Sequence, residues 1–218
     1  ADLASLIAAS GRADRAGLLD AFEKREAQFT TGMPGGIAIP HCRAAAVKQA
    51  RLIGNVNIAA DCQKDIPTRM PDLSEMKWTP GAAYSHITTN ETISGAQFKA
   101  LPETGSPLVA DMSSDILSRP LDYSRCTVIY AGAQKNLGPS GVALVAIRKD
   151  FAEKGNISLP AMLRYQTHIE NNSLYNTPPC FSIYMLCLTT RWLKKVGPEN
   201  LFKQNRDKAQ LIHDALDA

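Results

Sequence analysis

Short apolar segments of strand length alternate with polar turns along the 218-residue chain from Arg51 onward. Four segments carry β-branched or alternating apolar content: residues 82–86, 107–110, 127–131 and 142–147. Runs of this length bounded by turn residues predict strands. Because residues with helical spacing follow them, the chain is expected to adopt an α/β fold.

Two helices are predicted near the C-terminus. Thr177 precedes two prolines and then apolar residues at steps of three and four, which predicts an N-cap at Thr177 and a helix that ends near Gly197. A last helix is predicted to bury one stripe, formed by Leu211, Ile212, Ala215 and Leu216.

Composition narrows the functional class. With 44% apolar and 21% charged residues the chain can bury a sizeable core, and no apolar run approaches the roughly 18 residues of a membrane-spanning helix. A net charge of +3 on scattered basic residues does not favour nucleic-acid binding. The five cysteines show no CxxC spacing, and the first residues lack the basic segment of a signal peptide, so a cytoplasmic protein without a metal site is expected.

An acid and an amine follow two of the predicted strands. Asp111 ends one strand, and Lys135 lies just after the next strand along the chain. Ligands of open α/β sheets bind outside the carboxyl ends of the strands. Pyridoxal 5'-phosphate needs a lysine for its Schiff base and a carboxylate beside its ring nitrogen, and these two residues meet that need. Alternatively, Asp111 caps a turn and Lys135 is a solvated loop residue.

Two polar segments are further candidates for ligand contacts. Asn176 and Thr177 precede a predicted helix, whose N-terminus can bind an anion such as phosphate. Capping of that helix by Thr177 is the simpler explanation. Residues 89–92 offer hydroxyl and amide groups after a predicted strand, and a polar turn without a ligand explains them equally well.

Several segments together indicate a family. The stretches NETISG, ADMSSDILSRP, VIYAGAQKNLGPSGVALVAIRKD and SLYNTPPCFSIY occur in this order. They resemble the phosphoserine aminotransferases, which are fold-type-I pyridoxal-phosphate enzymes, from about residue 51 to residue 218. The resemblance implies the large domain of that fold in truncated form, with a mainly parallel central sheet and flanking helices.

The resemblance also implies roles for individual residues. Lys135 becomes the catalytic Schiff-base lysine, and Asp111 becomes the partner of the pyridine nitrogen. Asn176 and Thr177 are implied to reach the cofactor phosphate of a neighbouring subunit, so a homodimer is expected. The remaining implied cofactor contacts are Gln134, Thr92, and Ser113 or Ser114.

The implied reaction moves the amino group of glutamate onto 3-phosphohydroxypyruvate, a phosphorylated 2-oxo acid of serine biosynthesis. The glycine-rich phosphate turn, the ring-stacking aromatic residue and the C-terminal small domain of the family have no counterpart in the sequence. A catalytically inactive chimera or fragment is therefore the alternative interpretation.

The N-terminal residues resemble a different family. Residues 1–47 contain the sequence GIAIPH, and they are similar to the IIA component of fructose-type sugar phosphotransferase systems. This resemblance implies that His41 is a phosphoryl acceptor, whereas a partly buried, hydrogen-bonded histidine is the alternative. The sequence thus predicts two parts, a partial phosphotransferase-like segment at 1–47 and a partial cofactor-binding domain at 48–218.

Overall fold

A computed structural model describes residues 54–60 and 70–216 of the chain. Residues 57–218 form one compact unit, and the fold below belongs to it. The segment that contains His41 lies outside the described residues.

Four strands form one sheet in the order β1-β2-β3-β4. Strands β1 and β2 are parallel, β2 and β3 are parallel, and β4 runs antiparallel to β3. The mainly parallel α/β architecture expected from the sequence is confirmed, and each observed strand overlaps its predicted segment. The strands are β1 (Ser85–Thr88), β2 (Leu108–Asp111), β3 (Val128–Gly132) and β4 (Ala143–Ile147).

One face of the sheet carries the apolar core. Successive strand residues point to opposite faces, so Ile87, Ala110 and Ile129 contribute to the same side. Side chains from the loops that follow β1 and β2 cover this side, and Trp78 packs against its margin. The buried cluster comprises Ile87, Phe98, Leu101, Leu108, Ala110, Met112, Ile116, Cys126, Ile129, Ala131, Ala133 and Leu137.

Five α-helices complete the described unit. They are α1 (Ala133–Asn136), α2 (Lys149–Ala152), α3 (Tyr165–Glu170), α4 (Cys180–Val196) and α5 (Pro198–Leu216). Helix α4 ends as predicted, because Gly197 adopts a φ of 83° that favours glycine and stops the helix.

Two helix predictions are wrong in detail. The N-cap of α4 is Pro179 rather than Thr177, so the proline pair lies before the helix and not within its first turn. The predicted stripe of α5 is not buried: Leu211, Ile212 and Leu216 are exposed, and Leu201 near the start of the helix is the residue that packs. Amphipathic spacing predicts a helix, but burial requires a partner surface.

Helix α4 packs closely on the turn that follows α1. Gly141 has a φ of 102°, and a side chain there would bring its Cβ within 3.1 Å of Ser182 Oγ. The Ser182 hydroxyl donates a hydrogen bond of 2.8 Å to the backbone oxygen of Ser140. This contact connects α4 to the loop between β4 and α1, the helix that contains Lys135.

Candidate functional site

The carboxyl ends of β2 and β3 meet at one edge of the sheet. Asp111 is the last residue of β2, and Gly132 is the last residue of β3. Because the two strands are parallel neighbours, their ends lie side by side, and α1 begins directly at this edge. Asp111 and Lys135 are 24 positions apart in the sequence. The fold brings both of them to this edge of the sheet.

Asp111 is buried, with 5% of its surface exposed. Its Oδ1 atom accepts two hydrogen bonds from Ser113, one of 2.9 Å from the backbone N–H and one of 2.7 Å from the hydroxyl. The Ser113 oxygen in turn accepts a hydrogen bond of 3.0 Å from the N–H of Gly132. Ser113 thus connects the carboxylate to the residue immediately before α1.

Lys135 lies on the exposed side of α1. Its amine donates a hydrogen bond of 2.7 Å to the hydroxyl of Thr92. Thr92 belongs to the loop after β1, where the Gly95 N–H donates to the Glu91 backbone oxygen at 2.8 Å and Asn90 forms a bridge with Gln97. The amine therefore connects α1 with the loop after β1 at the carboxyl edge of the sheet.

The sequence of α1 explains why Lys135 points outward. Ala133 is fully buried, and the Asn136 side chain donates a hydrogen bond to the backbone oxygen of Ile116. These inward contacts leave Gln134 and Lys135 exposed. The Gln134 amide folds back over Gly132, so that a Cβ at Gly132 would lie 2.9 Å from it.

Ser114 and the loop after β1 form a second link across the edge. The Ser114 hydroxyl donates to the backbone oxygen of Asn90 at 2.9 Å, and the Asn90 side-chain amide donates to Ser114 Oγ at 2.9 Å. Both hydroxyls of the Ser113-Ser114 pair are thus engaged, the first by Asp111 and the second by Asn90.

An ion pair between the buried Asp115 and the partly buried Arg119 supports the loops after β1 and β2. Asp115 is 1% exposed, and Arg119 lies 3.0 Å from it. Arg119 also donates to the Phe98 backbone oxygen at 2.7 Å, and the Thr89 hydroxyl contacts Asp115 and the Asp111 backbone oxygen. A buried charge satisfied from several sides fixes the relative position of the loops that hold the edge.

Asn176 and Thr177 lie in the exposed segment before α4. The Asn176 side chain donates a hydrogen bond of 3.3 Å to the Thr177 backbone oxygen. Among the described residues, no hydrogen bond connects this pair with Asp111 or Lys135. The structure therefore brings together six of the predicted residues (Thr92, Asp111, Ser113, Ser114, Gln134 and Lys135), and the hydrogen bond of Asn176 does not extend to them.

Two side chains that no sequence motif singles out lie on the same sheet face as Asp111. They are His86 of β1 and Tyr130 of β3, and Tyr130 is paired in register with Asp111. The signal that could have found them is the strand alternation, which predicts the residues that share a face once the register between strands is known.

Comparison with known families identifies the family to which this chain belongs. The sequence model described as aminotransferase class-V matches residues 41–218 of the chain. The chain belongs to the class-V aminotransferases. The phosphoserine aminotransferase of Niallia circulans is 52% identical over 174 residues, which make up 79% of this chain and 48% of that protein.

Solved structures agree with this class-V assignment. The phosphoserine aminotransferase from Bacillus circulans subsp. alkalophilus superposes with a TM-score of 0.76 at 49% identity, covering 85% of this chain and 50% of the other. The pyridoxal-phosphate-bound enzyme from Trichomonas vaginalis gives 0.75 at 33% identity, covering 80% and 53%. The predicted resemblance to phosphoserine aminotransferases is confirmed, and the chain spans about half the length of these relatives.

A second family match covers the start of this class-V chain. The family described as phosphoenolpyruvate-dependent sugar phosphotransferase system, EIIA 2, matches residues 1–59, which include His41. The predicted resemblance of the N-terminal residues to that family is thereby confirmed. The boundary between residues 47 and 48 stays a prediction.

The part of the chain that the structure describes contains neither a cluster of metal-ligating side chains nor a membrane-spanning helix. Within residues 54–60 and 70–216, no group of three or more His, Cys, Asp or Glu side chains could hold a metal ion. Among the same residues, no helix is long and apolar enough to cross a membrane.

Proposed function

We propose that the edge formed by Asp111, Lys135 and Thr92 binds pyridoxal 5'-phosphate. One observation carries the proposal: an exposed lysine amine and a buried carboxylate lie at the carboxyl ends of adjacent parallel strands, connected through Ser113 and Gly132. The carboxyl edge of an open α/β sheet is where such folds bind ligands.

The donor set fits this cofactor. When bound, pyridoxal phosphate supplies an aldehyde that reacts with amines and a ring that accepts an electron pair when its nitrogen is protonated. Lys135 presents an amine to the exposed side of the edge, and Asp111 presents an acceptor whose Oδ1 is already held by Ser113. A carboxylate has about four acceptor positions, so Ser113 leaves capacity for a protonated ring nitrogen.

Each residue then has a definite task. Lys135 holds the cofactor through Nζ and, when released, carries a proton at that atom. The Thr92 hydroxyl orients the Lys135 amine, and Gln134, exposed beside it, offers an amide to the cofactor. Ser113 and Ser114 keep the loop after β2 in place.

The proposed reaction transfers the amino group of glutamate to 3-phosphohydroxypyruvate, which gives 2-oxoglutarate and phosphoserine. It is supported by the relatives named phosphoserine aminotransferase. This chain covers about half of their length, at about 50% identity. A step in serine biosynthesis on small, charged metabolites accords with a cytoplasmic location.

A homodimer is part of the proposal. Asn176 and Thr177 are exposed, and the first turns of α4 beside them expose Phe181 and Tyr184. Exposed aromatic residues in a cluster mark interaction surfaces. A second copy seated there would bring Asn176 and Thr177 to the cofactor phosphate of its neighbour.

Titration with pyridoxal phosphate, followed by visible absorption, tests the binding step. The wild-type chain should develop a new absorption band, and Lys135→Ala should not. Lys149→Ala is the matched control, because Lys149 is another exposed lysine at the start of a short helix. A band of equal strength in Lys135→Ala would contradict the assignment.

Turnover is tested separately from binding. Incubation of the loaded chain with ¹⁵N-glutamate and 3-phosphohydroxypyruvate should yield ¹⁵N-phosphoserine. A chain that binds the cofactor without forming this product would be the inactive chimera or fragment of the alternative interpretation.

The N-terminal match supports a second candidate function. His41 lies within residues 1–59, so phosphoryl transfer to this histidine is proposed as an activity of the N-terminal segment. Label transfer from a phosphorylated carrier protein to the wild-type chain, and its loss in His41→Ala, would support it; an unlabelled wild-type chain would exclude it.

A further inference from the structure

Three titratable side chains share one face of the sheet. Asp111 and Tyr130 are register partners on β2 and β3, and His86 on β1 pairs with Val109, two residues before Asp111. Paired residues of parallel strands project from the same face, and residues two apart on one strand do so as well. His86, Asp111 and Tyr130 therefore lie together on the side of the sheet opposite the apolar core.

His86 and Tyr130 contact each other directly across β2. The Nε2 atom of His86 lies 2.9 Å from the Tyr130 hydroxyl, and the two rings stack with centroids 5.9 Å apart and an interplanar angle of 26°. Tyr130 also lies beside Asp111, its register partner on the neighbouring strand. Burial, and then the Asp111 carboxylate, raise the pKa of Tyr130, so the phenol keeps its proton.

Counting protons gives the direction of these hydrogen bonds. A carboxylate only accepts, so a Tyr130 hydroxyl that bonds to Asp111 gives its single proton to that bond. His86 must then donate its Nε2–H to the Tyr130 oxygen. Burial lowers the pKa of His86 to about 4, although the Asp111 carboxylate acts in the opposite direction, so the ring is neutral near pH 7. A neutral ring with Nε2–H leaves Nδ1 without a proton.

We propose that His86 and Tyr130 are positioning residues: a line of donors runs from His86 Nε2 through the Tyr130 hydroxyl to the Asp111 carboxylate and sets the direction in which that carboxylate meets the ring nitrogen of the cofactor. The inference rests on the proposed function, because it assigns these residues a role in the same site. Ser113 holds the carboxylate through Oδ1, and Tyr130, in register on the neighbouring strand, would hold it from the other side. Two independent holds prevent the carboxylate from rotating away.

The tautomer of His86 tests the donor line without any cofactor. The full chain contains four histidines, and His86→Gln identifies the His86 signals in ¹⁵N spectra of side-chain nitrogens. The expected result is a protonated Nε2 and a bare Nδ1 that do not titrate between about pH 5.5 and 8. A ring protonated at Nδ1 would mean that Tyr130 donates to His86, and it would overturn the proposal.

Cofactor affinity tests the positioning role. Removing a hydrogen bond to a charged group should weaken pyridoxal-phosphate binding by about 10-fold to 100-fold in Tyr130→Phe. His86→Gln, which keeps an amide donor, should bind more tightly than His86→Leu. Tyr165→Phe is the control, since Tyr165 is a neighbouring half-buried phenol outside the donor line, and the affinity of this variant should stay within about 2-fold of the wild type.

The outcomes separate the two proposals. Wild-type affinity in Tyr130→Phe, with normal near-ultraviolet circular dichroism, would overturn the positioning role while the proposed function stands. A wild-type chain that binds no pyridoxal phosphate would overturn both the proposed function and the positioning role, and the His86 tautomer would still decide the direction of the hydrogen bonds.

Discussion

The amine of Lys135 donates a hydrogen bond of 2.7 Å to the hydroxyl of Thr92, although 43 positions separate them in the sequence. Lys135 belongs to the short helix after β3, and Thr92 belongs to the loop after β1. The contact therefore spans the carboxyl edge of β2, where Asp111 ends its strand. It places the Lys135 amine at the same edge of the sheet as the buried Asp111.

Replacing Thr92 by valine tests this contact. Loss of one hydrogen bond at an exposed site should weaken cofactor binding by about 3-fold to 10-fold and leave unfolding almost unchanged. Fluorescence titration with pyridoxal phosphate measures the affinity. Thr190→Val on α4 is the control. In the part of the chain that the structure describes, this exposed hydroxyl donates only to backbone oxygens of its own helix. Equal affinities in Thr92→Val and wild type would show that the Thr92 hydroxyl does not orient the amine.

Lys135 and Asp111 should fail differently when truncated. Lys135→Ala removes an exposed side chain and should change the free energy of unfolding by less than about 0.5 kcal/mol. Asp111→Ala leaves the two Ser113 donors without their acceptor in a buried place and should cost about 1–3 kcal/mol. Urea unfolding of the cofactor-free variants measures both. Asp111→Asn keeps an acceptor oxygen and should fall between them, whereas a large loss in Lys135→Ala would make that lysine structural.

The pKa of His86 predicts a pH dependence of stability. Burial lowers this pKa from 6.5 to about 4 in the folded chain, with Asp111 acting in the opposite direction, and Tyr130 is the other titratable group in contact. Between these pH values the unfolded chain binds a proton that the folded chain does not, so the stabilisation is complete above pH 6.5 and is lost as the pH falls to about 4. The loss is at most roughly 3 kcal/mol.

The comparison with His86→Gln isolates this contribution, because glutamine does not titrate. Urea unfolding across that pH range should show a steeper loss for the wild type than for the variant. Parallel curves would mean that His86 titrates alike in the folded and unfolded chains.

The sequence predicts the strands well and the face contacts poorly. The segments 127–131 and 142–147 match β3 and β4 closely, because strand-length apolar runs between turns leave few alternatives. The predicted segment 82–86 begins and ends before β1 does. Gly81 forms a turn ahead of the strand, and the pairing with β2 runs from Ser85 to Thr88. The contact between His86 and Tyr130 could not be predicted, because it depends on the register of three strands. The buried stripe of α5 was wrong because spacing alone does not supply a partner surface.

Self-association should depend on the start of α4. Phe181 is 72% exposed next to Asn176 and Thr177, and Phe181→Glu should weaken the dimer at least about 10-fold by placing a charge in an apolar contact. Leu211→Glu on α5 is the matched control, with the same 72% exposure. Sedimentation velocity over a concentration series measures both. A monomeric wild-type chain, or an equal effect of the two variants, would contradict the proposed interface.

Covalent trapping of the cofactor shows directly whether Lys135 is the lysine that holds pyridoxal phosphate. The wild-type chain is loaded with pyridoxal phosphate, reduced with borohydride, digested and examined by peptide mass spectrometry, with Lys149→Ala treated in parallel. We expect a phosphopyridoxyl mass on the peptide that contains Lys135, in both proteins and at close to one label per chain. A label that is absent, or that is spread over several exposed lysines with no preference for Lys135, would contradict the assignment of Lys135 as the cofactor-binding lysine.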